Sequence, residues 1–135
     1  AVAEPQATTA KAAVPAGPES VAALLASAST DAGKKAAKKC TACHTFNKGG
    51  SNKVGPNLWN IVGEKPAAVA GFKYSGAMTS MSVNWDFEEL NKFLYKPKAY
   101  LKGTKMSFAG LKKAKDRAAV IAYLRSLSDS PKPLP

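Results

Sequence analysis

The sequence predicts an all-α fold, and three observations carry that prediction. Apolar residues recur at helical spacing in two long runs, 85–96 and 115–127. No period-2 stretch is long enough for a strand. The segments between the runs are punctuated by Gly49-Gly50, Gly55-Pro56, Gly63, Gly103 and Gly110, as loops joining helices are. The 135 residues fit one domain.

Taken in order, residues 1–28 read as an Ala/Pro-rich linker or disordered tail, broken by Pro5, Pro15, Gly17 and Pro18. Within it, 20–28 has the makings of a short helix. Its apolar run is far short of the roughly 20 residues that cross a bilayer. The chain begins on Ala, so an upstream signal peptide or membrane anchor is expected to have preceded it. Residues 29–129 form the folded domain. Ser29 or Thr30 caps a helix running from Asp31 to about Lys39, with acid at its start and Lys38 and Lys39 at its end. Residues 45–56 are loop, 58–62 one or two helical turns stopped at Gly63, and 64–74 loop again. Asn84 caps the helix over 85–96, whose apolar face is Phe87, Leu90, Phe93 and Leu94. Pro97 closes it, and 98–101 make a further turn. After a loop to about Lys113, the last helix faces Val120, Tyr123, Leu124 and Leu127 inward. Residues 130–135 are a proline-bearing tail.

The first helix delivers Cys40-Thr41-Ala42-Cys43-His44. The chain holds two Cys and one His, so all its Cys and His chemistry lies in these five residues. C-x-x-C-H is the attachment signature of c-type haem: two thiols bond the vinyl groups and the adjacent histidine supplies an axial nitrogen. A redox dithiol expects a βαβ setting, and no strands surround this motif. A structural zinc site needs a second ligand pair, which is missing. A buried pair of thiols is the remaining bland reading. A covalently held haem would also enlarge a small core, as disulfides or metals do elsewhere.

His44 fills one axial place of such an iron. The soft candidates for the other are Met78, Met81 and Met106. Met106, in a loop between the two longest helices, is favoured, with Met81 next. A His/Met pair saturates the iron, which favours electron transfer over catalysis.

Lys and Arg outnumber Asp and Glu by 20 to 9, a formal net charge of +11. That excess predicts an acidic partner surface or a membrane surface. With Arg117 and Arg125 the only arginines, and no basic run interleaved with aromatics, nucleic acid is excluded as a partner.

From about 31 to 129 the chain resembles the class I c-type cytochromes of the mitochondrial type. The resemblance rests on the Cys40–His44 motif, Gly55-Pro56-Asn57-Leu58, Gly71-Phe72-Lys73-Tyr74-Ser75, Trp85, and Pro97-Lys98-Ala99-Tyr100. It continues through Gly103-Thr104-Lys105-Met106, Phe108-Ala109-Gly110 and Ile121-Ala122-Tyr123-Leu124. The Ala/Pro-rich start and the Leu127-Ser128-Asp129-Ser130-Pro131 ending are similar to the membrane-anchored cytochromes c of α-proteobacteria. The resemblance implies about four or five helices wrapped around one haem c, covalent through Cys40 and Cys43. It implies that the Pro56 carbonyl accepts the free N–H of His44, and that Tyr74, Ser75, Trp85 and Thr104 serve the propionates, anions that need donors when buried. It sets Gly33 where the first and last helices cross. Four positions depart from the family pattern: Glu64 in place of an arginine near the propionates, Phe93 of a tyrosine, Met78 of an asparagine, and Ala37 of an aromatic.

Lys39, Lys53, Lys98, Lys105, Lys112 and Lys113 match positions where the family rings its exposed haem edge with charge, and Lys35 adjoins them. The implied function is a periplasmic, monomeric, single-haem electron carrier rather than an enzyme. It would take electrons from a quinol–cytochrome c oxidoreductase and pass them to a cytochrome c oxidase or a photosynthetic reaction centre. Their acidic surfaces would meet the lysines, and an N-terminal anchor, in place of a cleaved signal peptide, would tether the carrier to the inner membrane. The rivals are a haem enzyme such as a weak peroxidase, and a tethered redox domain of a larger enzyme.

Overall fold

The computed structural model describes residues 19–69, 72, 74–104, 106 and 108–134, and among them six α-helices and one 3₁₀ turn carry the fold, with no strand. The helices are α1 (Ala22–Leu25), α2 (Thr30–Ala36), α3 (Gly76–Thr79), α4 (Phe87–Tyr95), α5 (Pro97–Tyr100) and α6 (Ala114–Ser126).

Helix α2 starts because the Ser29 side chain accepts the Ala32 N–H at 3.1 Å. It stops being α-helical at Ala36 and tightens into a 3₁₀ turn over Ala37–Cys40. It packs on α6, with Gly33 at the crossing. A Cβ at Gly33 would stand 2.0 Å from the Ala119 carbonyl oxygen and 2.8 Å from Tyr123 Cβ, so only glycine allows this approach.

Helix α4 begins at Phe87 rather than 85, and its cap is Asp86, not Asn84. The Asp86 carboxylate accepts the Glu89 N–H at 2.8 Å, where its charge also suits the positive end of the helix. Leu90, Phe93 and Leu94 are buried as the periodicity predicts. Pro97 opens α5 as its first residue. In α6, Ala118 to Ala122 and Leu124 are all buried, so the helix is covered on most of its circumference.

Two expectations about helices fail. Residues 58–62 form turns, because Asn60 takes φ +64° and its N–H goes to the Leu127 carbonyl at 2.7 Å. Helix α3 was not expected. It exists because the Ser75 hydroxyl caps it by accepting the Met78 N–H at 3.1 Å.

Part of the stretch that the sequence reads as linker, residues 19–28, packs on the core. Residues 1–18 lie outside the described residues, but Val21 and Leu25 are fully buried in the core with Leu90, Leu94, Leu111, Ile121 and Leu124. Each such burial is worth about 1.5–3 kcal/mol, enough to order a short segment that composition alone reads as linker. At the other end, 127–132 folds back: the Lys132 carbonyl accepts from Arg125 Nε at 2.6 Å, and Lys48 pairs with Asp129.

Candidate haem-binding site

The 3₁₀ turn hands the chain directly to the Cys/His motif. The N–H groups of Cys43 and His44 both bond the Cys40 carbonyl, at 3.0 and 2.9 Å, so the motif is one closed turn. Such a turn brings Cys40, Cys43 and His44 to a single cavity. The next loop returns beneath the ring. Gly55 N–H donates to the Cys43 carbonyl at 2.6 Å. A Cβ at Gly55 would meet His44 ring atoms at 2.3, 2.7 and 2.8 Å. His44 Nδ1 lies 2.7 Å from the Pro56 carbonyl, so that nitrogen donates its proton there. The lone pair is left on Nε2, which bonds nothing among the described residues. Burial holds the imidazole below its ordinary pKa, against the opposing pull of the Pro56 carbonyl, and so favours the neutral ring a metal requires. Burial, with the neighbouring Cys43, pushes the Cys40 thiol up.

The cavity measures about 470 Å³ and is mainly apolar, within the range of small-molecule sites. Besides the motif it is lined by Tyr74, Ser75, Met78, Trp85, Phe93, Thr104, Met106 and Phe108, with Leu58, Ile61, Val120 and Leu124 among the rest. Three hydroxyls on its wall are each oriented by a backbone donor. The Tyr74 oxygen accepts the Val69 N–H at 3.0 Å, Ser75 Oγ the Met78 N–H, and Thr104 Oγ1 the Met106 N–H at 3.3 Å. A hydroxyl that accepts one bond still has its own proton to give. Burial pushes the Tyr74 phenol up, which keeps that proton in place. Trp85 is 4% exposed and lines the same cavity. The donor set therefore fits a flat apolar group with one metal and anionic edges: a neutral imidazole, a thioether, and several oriented donors.

All nine residues expected to contact the cofactor line this cavity: Cys40, Cys43, His44, Pro56, Tyr74, Ser75, Trp85, Thr104 and Met106. Of the three methionines, Met78 and Met106 reach it, whereas Met81 packs against the core elsewhere. Glu64, Phe93 and Ala37, at three of the departures from the family pattern, are also on the wall. The Glu64 carboxylate accepts from Asn60 Nδ2 at 3.0 Å. Lys39, Lys53, Lys98, Lys112 and Lys113 are exposed, and Lys53 Nζ reaches the Thr41 carbonyl inside the haem motif at 2.8 Å. Lys105 lies outside the described residues. Sequence reasoning missed Trp59, which lines the cavity from the 58–62 turn; an indole one residue past Gly55-Pro56-Asn57-Leu58 was the available signal.

The family model for cytochrome c matches residues 30–128. The cytochrome c homolog of Bradyrhizobium diazoefficiens is 55% identical over 113 residues, covering 83% of this chain and 61% of that protein. The cytochrome c homolog of Rickettsia bellii is 46% identical over 103 residues, covering 76% of this chain and 60% of that protein. The chain thus spans about 60% of the length of these relatives. Among solved structures it is similar to cytochrome cH from Methylobacterium extorquens, with a TM-score of 0.67 and 39% identity over 72% of this chain and 97% of that one. No described helix is long and apolar enough to cross a membrane. The cofactor is one haem c, bonded to Cys40 and Cys43. By its helical fold, its haem motif and the match over residues 30–128, the chain belongs to the cytochrome c family.

Proposed function

We propose that this chain is a single-haem electron carrier of a periplasmic respiratory or photosynthetic chain, and that it makes no bond in any substrate. One observation carries the reading: His44 and Met106 line the same cavity, so both axial places of one iron can be taken by protein. When bound, the haem supplies a one-electron ferric/ferrous couple. The protein's part is to hold that couple and keep other molecules away. His44, oriented by the Pro56 carbonyl, and Met106 would hold the iron and so exclude oxygen, peroxide and substrates from it. Tyr74, Ser75, Trp85 and Thr104 would donate to the anionic edge, which is costly to bury without donors.

Lys39, Lys53, Lys98, Lys105, Lys112 and Lys113 then serve as a charged rim for brief encounters with acidic partners. The partners are a quinol–cytochrome c oxidoreductase as donor and a cytochrome c oxidase or photosynthetic reaction centre as acceptor. Relatives longer than this chain agree with a further segment, and an N-terminal anchor to the inner membrane is our reading of it.

The test is stopped-flow oxidation of the reduced holo-protein by a bacterial cytochrome c oxidase across ionic strength. The expected rate falls at least about tenfold between low and physiological salt, as steered association does. Absence of oxidation, or a rate indifferent to salt, rejects the reading. Prompt binding of carbon monoxide or cyanide at neutral pH would point to a haem enzyme instead.

A further inference from the structure

Arg117 is a cation with no solvent exposure, and named residues account for all its hydrogens. Nε donates to Asn91 Oδ1 at 2.6 Å. Nη1 donates to the carbonyls of Leu111 and Lys112 at 3.0 and 2.7 Å. Nη2 donates to the carbonyl and carboxylate of Glu19 at 3.3 and 3.4 Å. A guanidinium has five N–H groups, and these are five acceptors. The Tyr95 ring stacks on it at 5.0 Å.

Two of the five acceptors belong to the N-terminal segment. That segment is docked by more than Arg117. The Glu19 carbonyl also accepts from Asn91 Nδ2 at 2.9 Å, the Ser20 hydroxyl donates to Glu88 at 2.5 Å, and Val21 and Leu25 are buried. Two other acceptors belong to the far foot of the loop that carries Met106. The same foot is fixed by the Leu111 N–H on the Leu94 carbonyl at 2.7 Å. It is also fixed by Gly110 at φ +114°, where a Cβ would stand 2.0 Å from the Tyr95 carbonyl. Arg117 is thus one rigid, fully bonded joint between the N-terminal segment and the Met106 loop.

We infer that residues 19–25 are a strap whose docking sets the position of the Met106 loop, with Arg117 as the positioning residue; this rests on Met106 being the axial ligand. Undocking the strap strips two acceptors from a buried cation. A buried charge does not tolerate lost partners, so the guanidinium turns toward entering water. The Leu111 and Lys112 carbonyls lose their donor as it turns. The loop loosens, and the Met106 sulfur leaves the iron more often.

The test uses the full-length holo-protein. Val21→Asp undocks the strap, Arg117→Lys removes the fork, Leu25→Ala is a milder undocking variant should Val21→Asp not take up haem, and Val62→Ala loosens a core position that belongs neither to the strap nor to the Met106 loop. The readout is the rate at which imidazole displaces the ligand at the iron, set beside the reduction potential and the melting temperature. The undocking and Arg117 variants should admit imidazole on the order of tenfold faster, the scale set by losing buried hydrogen bonds. Val62→Ala should stay near wild type at a comparable melting loss. Equal rates in undocked and Val62→Ala proteins of equal stability overturn the inference alone. A wild-type rate in Met106→Ala overturns the ligand assignment, and the inference with it.

Discussion

The Pro56 carbonyl oxygen stands 2.7 Å from His44 Nδ1, while Gly55, one residue earlier, packs its α-carbon against the face of the same ring. Edge and face of the imidazole are therefore fixed by consecutive residues of one loop. The acceptor is backbone, so no replacement of the Pro56 side chain removes the bond directly; the vulnerable flank is Gly55. Gly55→Ala would place a Cβ 2.3 Å from the ring and should cost about 2–3 kcal/mol by overpacking, with a lower yield of attached haem. Gly76, with nothing within 4 Å of its virtual Cβ, is the control. Gly76→Ala should be neutral or slightly stabilising. Denaturant unfolding of both holo-proteins checks the contrast.

Met106→Ala should lower the reduction potential by on the order of a hundred millivolts and open the iron to external ligands, because a thioether opposite histidine favours the ferrous state. Met81→Ala should change neither, since Met81 packs away from the cavity. Potentiometric titration and imidazole binding measure both. An unchanged potential in Met106→Ala would remove Met106 from the iron.

Glu64 puts a carboxylate on the cavity wall. A negative charge there stabilises the ferric form, so Glu64→Gln should raise the potential by tens of millivolts, roughly the 1 kcal/mol of a partly screened charge pair. The same titration at low ionic strength reads it out.

The cofactor side of the fold was legible because its chemistry is local. Cys40, Cys43 and His44 declare themselves within five residues, and of the faces that the sequence marks α4 buries Leu90, Phe93 and Leu94 and α6 buries Val120 and Leu124, while Phe87, Tyr123 and Leu127 are half-buried. What was not legible depends on distant partners. Nothing near Glu19 says that Arg117, far along the chain, will donate to it, so Val21 and Leu25 read as linker. The turn at 58–62 is set by the Leu127 carbonyl, again remote in sequence. The choice of Asp86 over Asn84 as cap moves a boundary by two residues without moving the apolar face, which is why the core prediction survives the error.

Gly33→Ala tests the crossing of α2 and α6. A Cβ 2.0 Å from the Ala119 carbonyl meets backbone, which cannot swing aside as a side chain can. The helices must part, and since α2 leads into Cys40, the haem wall moves with it. The expected loss is about 3 kcal/mol, at the upper end of overpacking, with a clear fall in melting temperature. A change within about 0.5 kcal/mol by denaturant unfolding would show the crossing to be looser than drawn.

The Tyr100 hydroxyl donates to the Glu89 carboxylate, tying α5 to α4. Burial first, and then the Glu89 carboxylate that accepts the proton, push this phenol well above the ordinary tyrosine range. In the unfolded chain it ionises near 10. The folded state therefore keeps a proton that the unfolded state gives up, and stability drawn from the pair is whole below about pH 10 and declines as pH rises toward the folded value. Tyr100→Phe removes the hydroxyl and with it this dependence. At pH 8 the variant should be less stable by about 1 kcal/mol, modest for a bond to a charge because both groups reach solvent. Between pH 10 and 11 the gap between wild type and variant should narrow. Parallel melting curves from pH 8 to 11 measure that gap, and one that stays constant would mean the phenol contributes packing alone.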